Sequence, residues 1–277
     1  MTTPSPGAVR TLLLAAAEAA DRAVGAMDPS ARGRQVADGA DGEPTTAVDQ
    51  AAERAAFEVL AEAGWPLRVI SEERGELTLV SGPDPIEVLL DPVDSTANAM
   101  LDLPIYTSAL AAFRGERPLA AVVRNLATHQ TYSAEGTERA FFDGRPVHCP
   151  DRGLGEAVLA FGPIRDPFAQ RALLAAVARS RGIRLFACPS WSLAAVADGR
   201  LGGFLGLGQT RPVHRLFDVL AAALVVEAAG GVVTDHEGKG WQVSRHDLTT
   251  AVTVVAGGRR THGELLGVLR DVMAQDG

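Results

Sequence analysis

Lysine is all but missing from this chain of 277 residues: Lys239 is the single one, so arginine carries nearly every positive charge. Cysteine is scarce as well. With only Cys149 and Cys188 the chain can build neither a disulfide framework nor a cysteine metal site, and both thiols are expected to be inert. Long apolar runs are missing too. The longest, near 12–17 and 219–226, fall far short of the roughly 20 residues that span a bilayer, so no membrane partner is expected. Met1-Thr2-Thr3-Pro4-Ser5-Pro6 lacks a basic n-region, and the helix that follows acquires Glu18 and Asp21; a signal peptide is therefore not expected, and the expected location is cytoplasmic. Positive charge is in deficit. A net charge of -8, from 26 basic against 34 acidic residues spread along the chain, argues against nucleic acid as a partner. The glycines of 199–208 match neither a Walker loop nor a dinucleotide fingerprint, no serine stands in a nucleophile elbow, and the six histidines pair with no Cys or Ser.

What remains is acidic, and it centres on Leu89-Leu90-Asp91-Pro92-Val93-Asp94-Ser95-Thr96. Residues 86–90 read as a short buried strand that leaves Asp91 at its carboxyl end, where open α/β sheets bind ligands, with Pro92 stopping the strand. Asp94, Ser95 and Thr96 are all N-cap types ahead of a helix-compatible 97–101. Two carboxylates this close repel each other unless a cation lies between them, and hard divalent cations take oxygen ligands. The octamer alone fits a metal-phosphate site and a capping turn with a solvated acid pair equally well.

The rest of the chain supplies partners for it. Val9, Leu12, Leu13, Ala16, Ala17 and Ala20 give a first helix ending near Met27, and the Gly- and Pro-bearing stretch 28–44 reads as a loop whose Asp38 and Asp41 face solvent. Thr45 and Thr46 cap a second helix that runs to Ala63 with Asp49 in its first turn; alone, Asp49 is only a helix-dipole acid. Arg68-Val69-Ile70 is a strand delivering Ser71-Glu72-Glu73. Strands at 106–113, 119–124, 130–133 and 139–142 then make a mostly antiparallel meander closed by the turn Asp143-Gly144-Arg145-Pro146. The second half alternates strands and helices, with Ser190-Trp191-Ser192 as a helix cap and Asp218 just before an apolar helix, 219–229, that Gly230-Gly231 ends. Two sheets follow from this pattern, in an α/β chain divided near residue 150.

The spacing resembles the inositol monophosphatase family of magnesium-dependent, lithium-sensitive phosphatases. Asp91-Pro92-Val93-Asp94-Ser95-Thr96 is similar to that family's Asp-Pro-Ile-Asp-Gly-Thr signature, and Phe217-Asp218-Val219 through Glu227-Ala228-Ala229-Gly230-Gly231 to its second signature. Thr45-Thr46-Ala47-Val48-Asp49 resembles the family's helix start, Ile70-Ser71-Glu72-Glu73 its acidic strand end, and Ala140-Phe141-Phe142-Asp143-Gly144-Arg145-Pro146-Val147 its Ala-Phe-x-Asn-Gly-x-Pro-Ile run.

The resemblance implies a layered αβαβα sandwich, with a mostly antiparallel sheet in residues 1–150 and a mixed sheet in 151–277. It implies that Asp49, Glu72, Asp91, Asp94, Asp218 and the carbonyl of Val93 hold Mg2+, two ions or three. Glu72 and Thr96 would position the attacking water, Asp94 would serve in catalysis, and the amides of Ser95 and Thr96 would hold the phosphate. The reaction would be hydrolysis of a small polar phosphate monoester (a cyclitol, sugar, nucleotide or histidinol phosphate) by a homodimer. The rival is a non-catalytic member that binds a phosphorylated ligand or partner.

Several positions depart from the family pattern. Ser95 replaces the signature glycine, so a Cβ stands beside the phosphate pocket at a position suited to φ > 0. Phe217 replaces a tryptophan, Ala99 a phenylalanine and Ala223 a glycine, and the loop before Asp49 has no lysine. Gly206 stands where the family's inositol-binding acid would be. A longer stretch through Gly208-Gln209-Thr210-Arg211-Pro212-Val213-His214-Arg215 follows, in which Arg211 and His214 are expected to bind substrate.

Overall fold

The computed structural model describes residues 4–208 and 213–275. Helix α1 (Pro6–Gly25) opens on Ser5, whose Oγ accepts the Ala8 N–H, and buries the stripe Val9, Leu13, Ala16, Ala17, Ala20 and Val24. The stretch expected to be loop contains a hairpin, β1 (Gln35–Asp38) with β2 (Pro44–Thr46), and leads into α2 (Ala47–Glu62). Then come β3 (Leu67–Ser71), β4 (Gly75–Val80), β5 (Ile86–Asp94), the short α3 (Thr96–Met100), β6 (Thr107–Arg114), β7 (Arg117–Asn125), β8 (Thr131–Glu135), β9 (Arg139–Phe142) and β10 (Arg145–Val147). Strands β3 to β10 form one eight-stranded sheet in the order β10-β9-β8-β7-β6-β5-β3-β4, antiparallel throughout except for the pair β3–β5.

The remaining chain contributes β11 (Val158–Phe161), α4 (Pro167–Arg179), β12 (Gly182–Arg184), α5 (Pro189–Ala194), β13 (Gly203–Gly206), β14 (His214–Arg215), α6 (Leu216–Ala228), β15 (Val232–Thr234), β16 (Ala251–Val252), β17 (Val254–Gly257) and α7 (Arg259–Met273). A second sheet, β12-β11-β13-β17-β15, is mixed: β11 runs parallel to β12 and β13, while β17 is antiparallel to its neighbours. Helices α1 and α2 cover one face of the large sheet, α5 and α6 lie between the two sheets, and α4 with α7 covers the far face of the small one. The layers are αβαβα. Helix α6 is apolar apart from Asp218 and the exposed Glu227 because most of its surface is buried, with Val219, Ala222, Val225 and Val226 fully enclosed. No described helix is long and apolar enough to cross a membrane.

Pro92 does not end the strand. Pairing of β5 with β6 lapses between Asp91 and Asp94 and resumes with Asp94 opposite Thr107, so the proline, which has no N–H to give, sits in an irregularity of the ladder. Asp41 also departs from expectation: it is buried and ion-paired with Arg215 while Asp38 is exposed, because the β1–β2 hairpin folds its tip back over the end of β3.

Candidate active site

Two strand ends and two helix starts deliver the acids. Because β3 and β5 run side by side in the same direction, with Ser71 opposite Leu90, they finish at the same edge; the Glu72 N–H donates to the Leu90 carbonyl at 3.1 Å, which sets Glu72 beside Asp91. Desolvation pushes both carboxyls well above the ordinary range, Glu72 helped by Asp218 and Asp91 by Glu72. Asp218 arrives in the first turn of α6, where its Oδ2 accepts the Arg215 N–H at 2.8 Å; burial and then Asp94 push it up to about 8. Asp94 is pushed up to about 6 by burial against the pull of hydrogen bonds from Ser190 and Cys188. Glu73, which the sequence reading passed over, is raised by burial to about 7 and accepts the Thr45 hydroxyl.

Asp49 and Thr96 form a separate unit. Asp49 Oδ2 accepts the Thr46 N–H at 2.9 Å and its hydroxyl at 2.6 Å, completing a helix cap, while its Oδ1 lies 3.0 Å from Thr96 Oγ1. The same Thr96 oxygen is 3.1 Å from the Val93 carbonyl. Asp49, Val93 and Thr96 therefore meet. Burial raises the Asp49 carboxyl, and the Thr46 and Thr96 hydrogen bonds oppose the rise.

Ser95 takes φ +73°, the left-handed conformation that its Cβ disfavours, at a cost of about 1–2 kcal/mol. Its hydroxyl donates to the Ala187 carbonyl at 2.7 Å, and Asn98 Nδ2 donates to the Phe186 carbonyl at 2.8 Å, so the segment 186–190 is laced to the acid turn. This lacing offsets the strain. Ser190 does not act as the helix cap expected of it, and Cys188 is no bystander: both reach Asp94.

A cavity of about 520 Å3 opens on this turn, lined among others by Asp94, Ser95, Thr96, Arg165, His214 and Asp218. An adjoining one of about 420 Å3 includes Asp41, Glu72, Arg165, Arg215 and Asp218. A larger cavity of about 590 Å3, beside Arg34, Glu53 and Arg74, touches none of the five expected acids. His214 is 2% exposed, its ring wedged between Gly162 and Gly206, where a Cβ would meet it at 2.7 and 2.5 Å. Its Nε2 has no hydrogen-bond partner, and burial drives the imidazole down to about 3, so it is neutral. Arg215 is committed to Asp41. Arg211 lies outside the described residues.

No three carboxylate, imidazole or thiol groups among the described residues form a finished cation cage. The donor set nevertheless suits a hard divalent cation. It is all oxygen, its acids lift one another's pKa values, and Asp91 Oδ1 is buried with no hydrogen-bond partner, a deficit that a cation would remove.

A family model described as the inositol monophosphatase family matches residues 8–274. The chain belongs to that family. It is 28% identical over 254 residues to a protein of Archaeoglobus fulgidus named fructose-1,6-bisphosphatase/inositol-1-monophosphatase, covering 90% of this chain and 93% of that one. It is 32% identical over 218 residues to inositol-1-monophosphatase ImpA of Mycolicibacterium smegmatis, covering 74% and 75%. The crystal structure of extragenic suppressor protein suhB from Bartonella henselae superposes with a TM-score of 0.81 at 26% identity, over 95% of this chain and 98% of that one. Inositol monophosphatase membership makes this chain a phosphatase acting on phosphate monoesters, in a family that is in general metal-dependent.

Proposed function

We propose that this chain hydrolyses a small polar phosphate monoester with Mg2+ as its cofactor, two ions or three. Asp49, Glu72, Asp91, Asp94, Asp218 and the Val93 carbonyl would hold them. The half formed by residues 1–150 supplies all of these ligands but Asp218, which comes from 151–277. The observation that carries the reading is the uncompensated acid cluster: buried carboxyls from separate elements raise one another's pKa values, and Asp91 Oδ1 lacks any partner. Bound magnesium would neutralise the ester, acidify a water and stabilise the leaving oxygen.

The protein's own groups do the positioning. A Thr96 hydroxyl that donates to Asp49 keeps oxygen lone pairs free to accept a hydrogen bond from water, so it and Glu72 orient the nucleophile. The backbone amides of Ser95 and Thr96 hold the phosphate oxygens. Substrate binding by His214 would need its ring to turn, because Nε2 is buried against glycine backbone; Arg165, exposed and lining both cavities, is the more accessible cation. Exposed Met100, Leu101 and Leu103 support association into a homodimer. An excess of acids supports a small-molecule substrate and not nucleic acid.

Ser95, whose Cβ stands at φ +73° on the turn where the family signature has glycine, favours a second reading, a member that binds a phosphorylated ligand or partner without turnover. Phosphate release from p-nitrophenyl phosphate separates the two. Turnover that requires millimolar magnesium and falls with calcium, which prefers more ligands at longer distances, is expected. Full activity in excess EDTA, or none with any divalent cation, would refute the proposal.

A further inference from the structure

We infer that Ser190 is a positioning residue for Asp94, holding one carboxylate oxygen so that only the other faces the cation site. The inference rests on the proposed cation site, and Ser190, Cys188 and Thr107 lie outside the stretches that resemble the family's signatures. All the hydrogen bonding converges on Oδ2. The Ser190 N–H donates to it at 2.8 Å, the Ser190 hydroxyl donates to it as well, and the Cys188 thiol lies 3.2 Å away. No hydrogen bond among the described residues reaches Oδ1, and Asp94 lines the 520 Å3 cavity.

Behind Ser190 stands Thr107, whose Oγ1 is 2.5 Å from Ser190 Oγ. Since the serine proton points to the carboxylate, Thr107 donates to Ser190 and Ser190 to Asp94, a short relay with one direction. Thr107 is held there because it sits opposite Asp94 where the β5–β6 ladder resumes. Thr107 and Ser190 are fully buried, Cys188 is 1% exposed and Asp94 6%, so water cannot substitute for a missing donor. Cys188 contributes as a protonated donor, its thiol pushed up by burial and by Asp94. Hydrogen bonds that orient a ligating carboxylate govern metal affinity, and their loss typically costs about 10- to 100-fold.

The experiment measures cation binding without turnover. Metal-stripped wild type, Ser190→Ala, Cys188→Ala and Cys188→Ser are titrated with Mn2+, the free ion followed by its electron paramagnetic resonance signal. Ser190→Ala should bind about 10- to 100-fold more weakly, and the magnesium concentration for half-maximal rate should rise by the same factor. Cys188→Ala should fall between it and wild type, with Cys188→Ser, which keeps a donor, restored to wild type. Ser190→Ala binding Mn2+ within twofold of wild type would overturn the inference while leaving the cation site standing. Should Ser190→Ala not fold, the Cys188 pair decides: equal affinities in Cys188→Ala and Cys188→Ser overturn it. Wild type that binds no Mn2+ overturns it together with the magnesium reading.

Discussion

Neutralising Asp218 should stabilise the metal-free protein while abolishing its activity. Burial and Asp94 raise this carboxyl from 3.8 to about 8, against the hydrogen bond and charge of Arg215. Its folded-state pKa therefore lies above the unfolded one. The stability it contributes is complete below about pH 4 and is lost as the pH rises through 8, since the unfolded chain ionises it freely and the folded chain does not. At about 1.4 kcal/mol per pKa unit, the penalty at pH 7 is at most about 4 kcal/mol, a ceiling because Asp218 keeps partial solvent access. Asp94 and Glu73, raised to about 6 and about 7, act with the same sign. His214 acts oppositely: its depressed pKa makes it destabilising only as the pH falls below its ordinary 6.5. Thermal unfolding in EDTA between pH 6.5 and 8.5 isolates the acids. Over that window the wild type should lose a further ~2 kcal/mol through Asp218, several degrees for a chain of this size. Asp218→Asn should unfold at a higher temperature than wild type at pH 8, with a flatter pH profile. Excess magnesium should raise the wild-type midpoint at pH 8 and leave the variant where it was. A wild-type midpoint that holds or rises from pH 6.5 to 8.5 in EDTA would refute the reasoning.

Three further outcomes are expected. Asp94→Asn should lower kcat by far more than tenfold, about 1.4 kcal/mol of barrier, with the far-ultraviolet circular dichroism unchanged; near-wild-type kcat at saturating magnesium would contradict its role. Myo-inositol 1-phosphate should not rank first by kcat/KM against nucleotide, sugar and histidinol phosphates, because Gly206 offers no acid and the His214 ring fills the space beside it. A missing hydrogen-bond partner is worth about 1–3 kcal/mol of discrimination, roughly ten- to hundredfold. Light scattering at micromolar concentration should give the mass of two chains, and a value near the 28.9 kDa of one chain would contradict the dimer.

The two-sheet architecture was legible because its signals are local: a 3.6-residue stripe over α1, alternating turns through β6 to β10, an apolar α6 with Asp218 at its start. What escaped was set by long-range contact. Asp41 looked like a solvent acid because nothing near it in sequence reveals Arg215, 174 residues away. Ser190 read as a cap because its true partner, Asp94, lies 96 residues back. His214 looked like a polar ligand, and only the two glycines that embrace its ring show it to be buried. The Ser95 substitution was legible as strain, yet its compensation by the Ala187 carbonyl was not.

Topology explains why the acids meet at all. In an antiparallel sheet, neighbouring strands finish at opposite edges, so two acids placed just after two adjacent strands would be separated by a strand's length. Among the described strands of the large sheet only β3 and β5 are parallel neighbours, and the acids Glu72 and Asp91 follow the matched pair Ser71 and Leu90. That exception concentrates charge at one edge, and the fold then adds Asp218 from α6, whose carboxyl stays raised although the charge of Arg215 opposes the rise. The segment 186–190 restrains the turn that results, through Ser95, Asn98 and Asp94, with bonds to two carbonyls and one carboxylate. Rigidity there serves the site more than stability does, since any relaxation would let the acids move apart, lower their pKa values and surrender the geometry a cation needs.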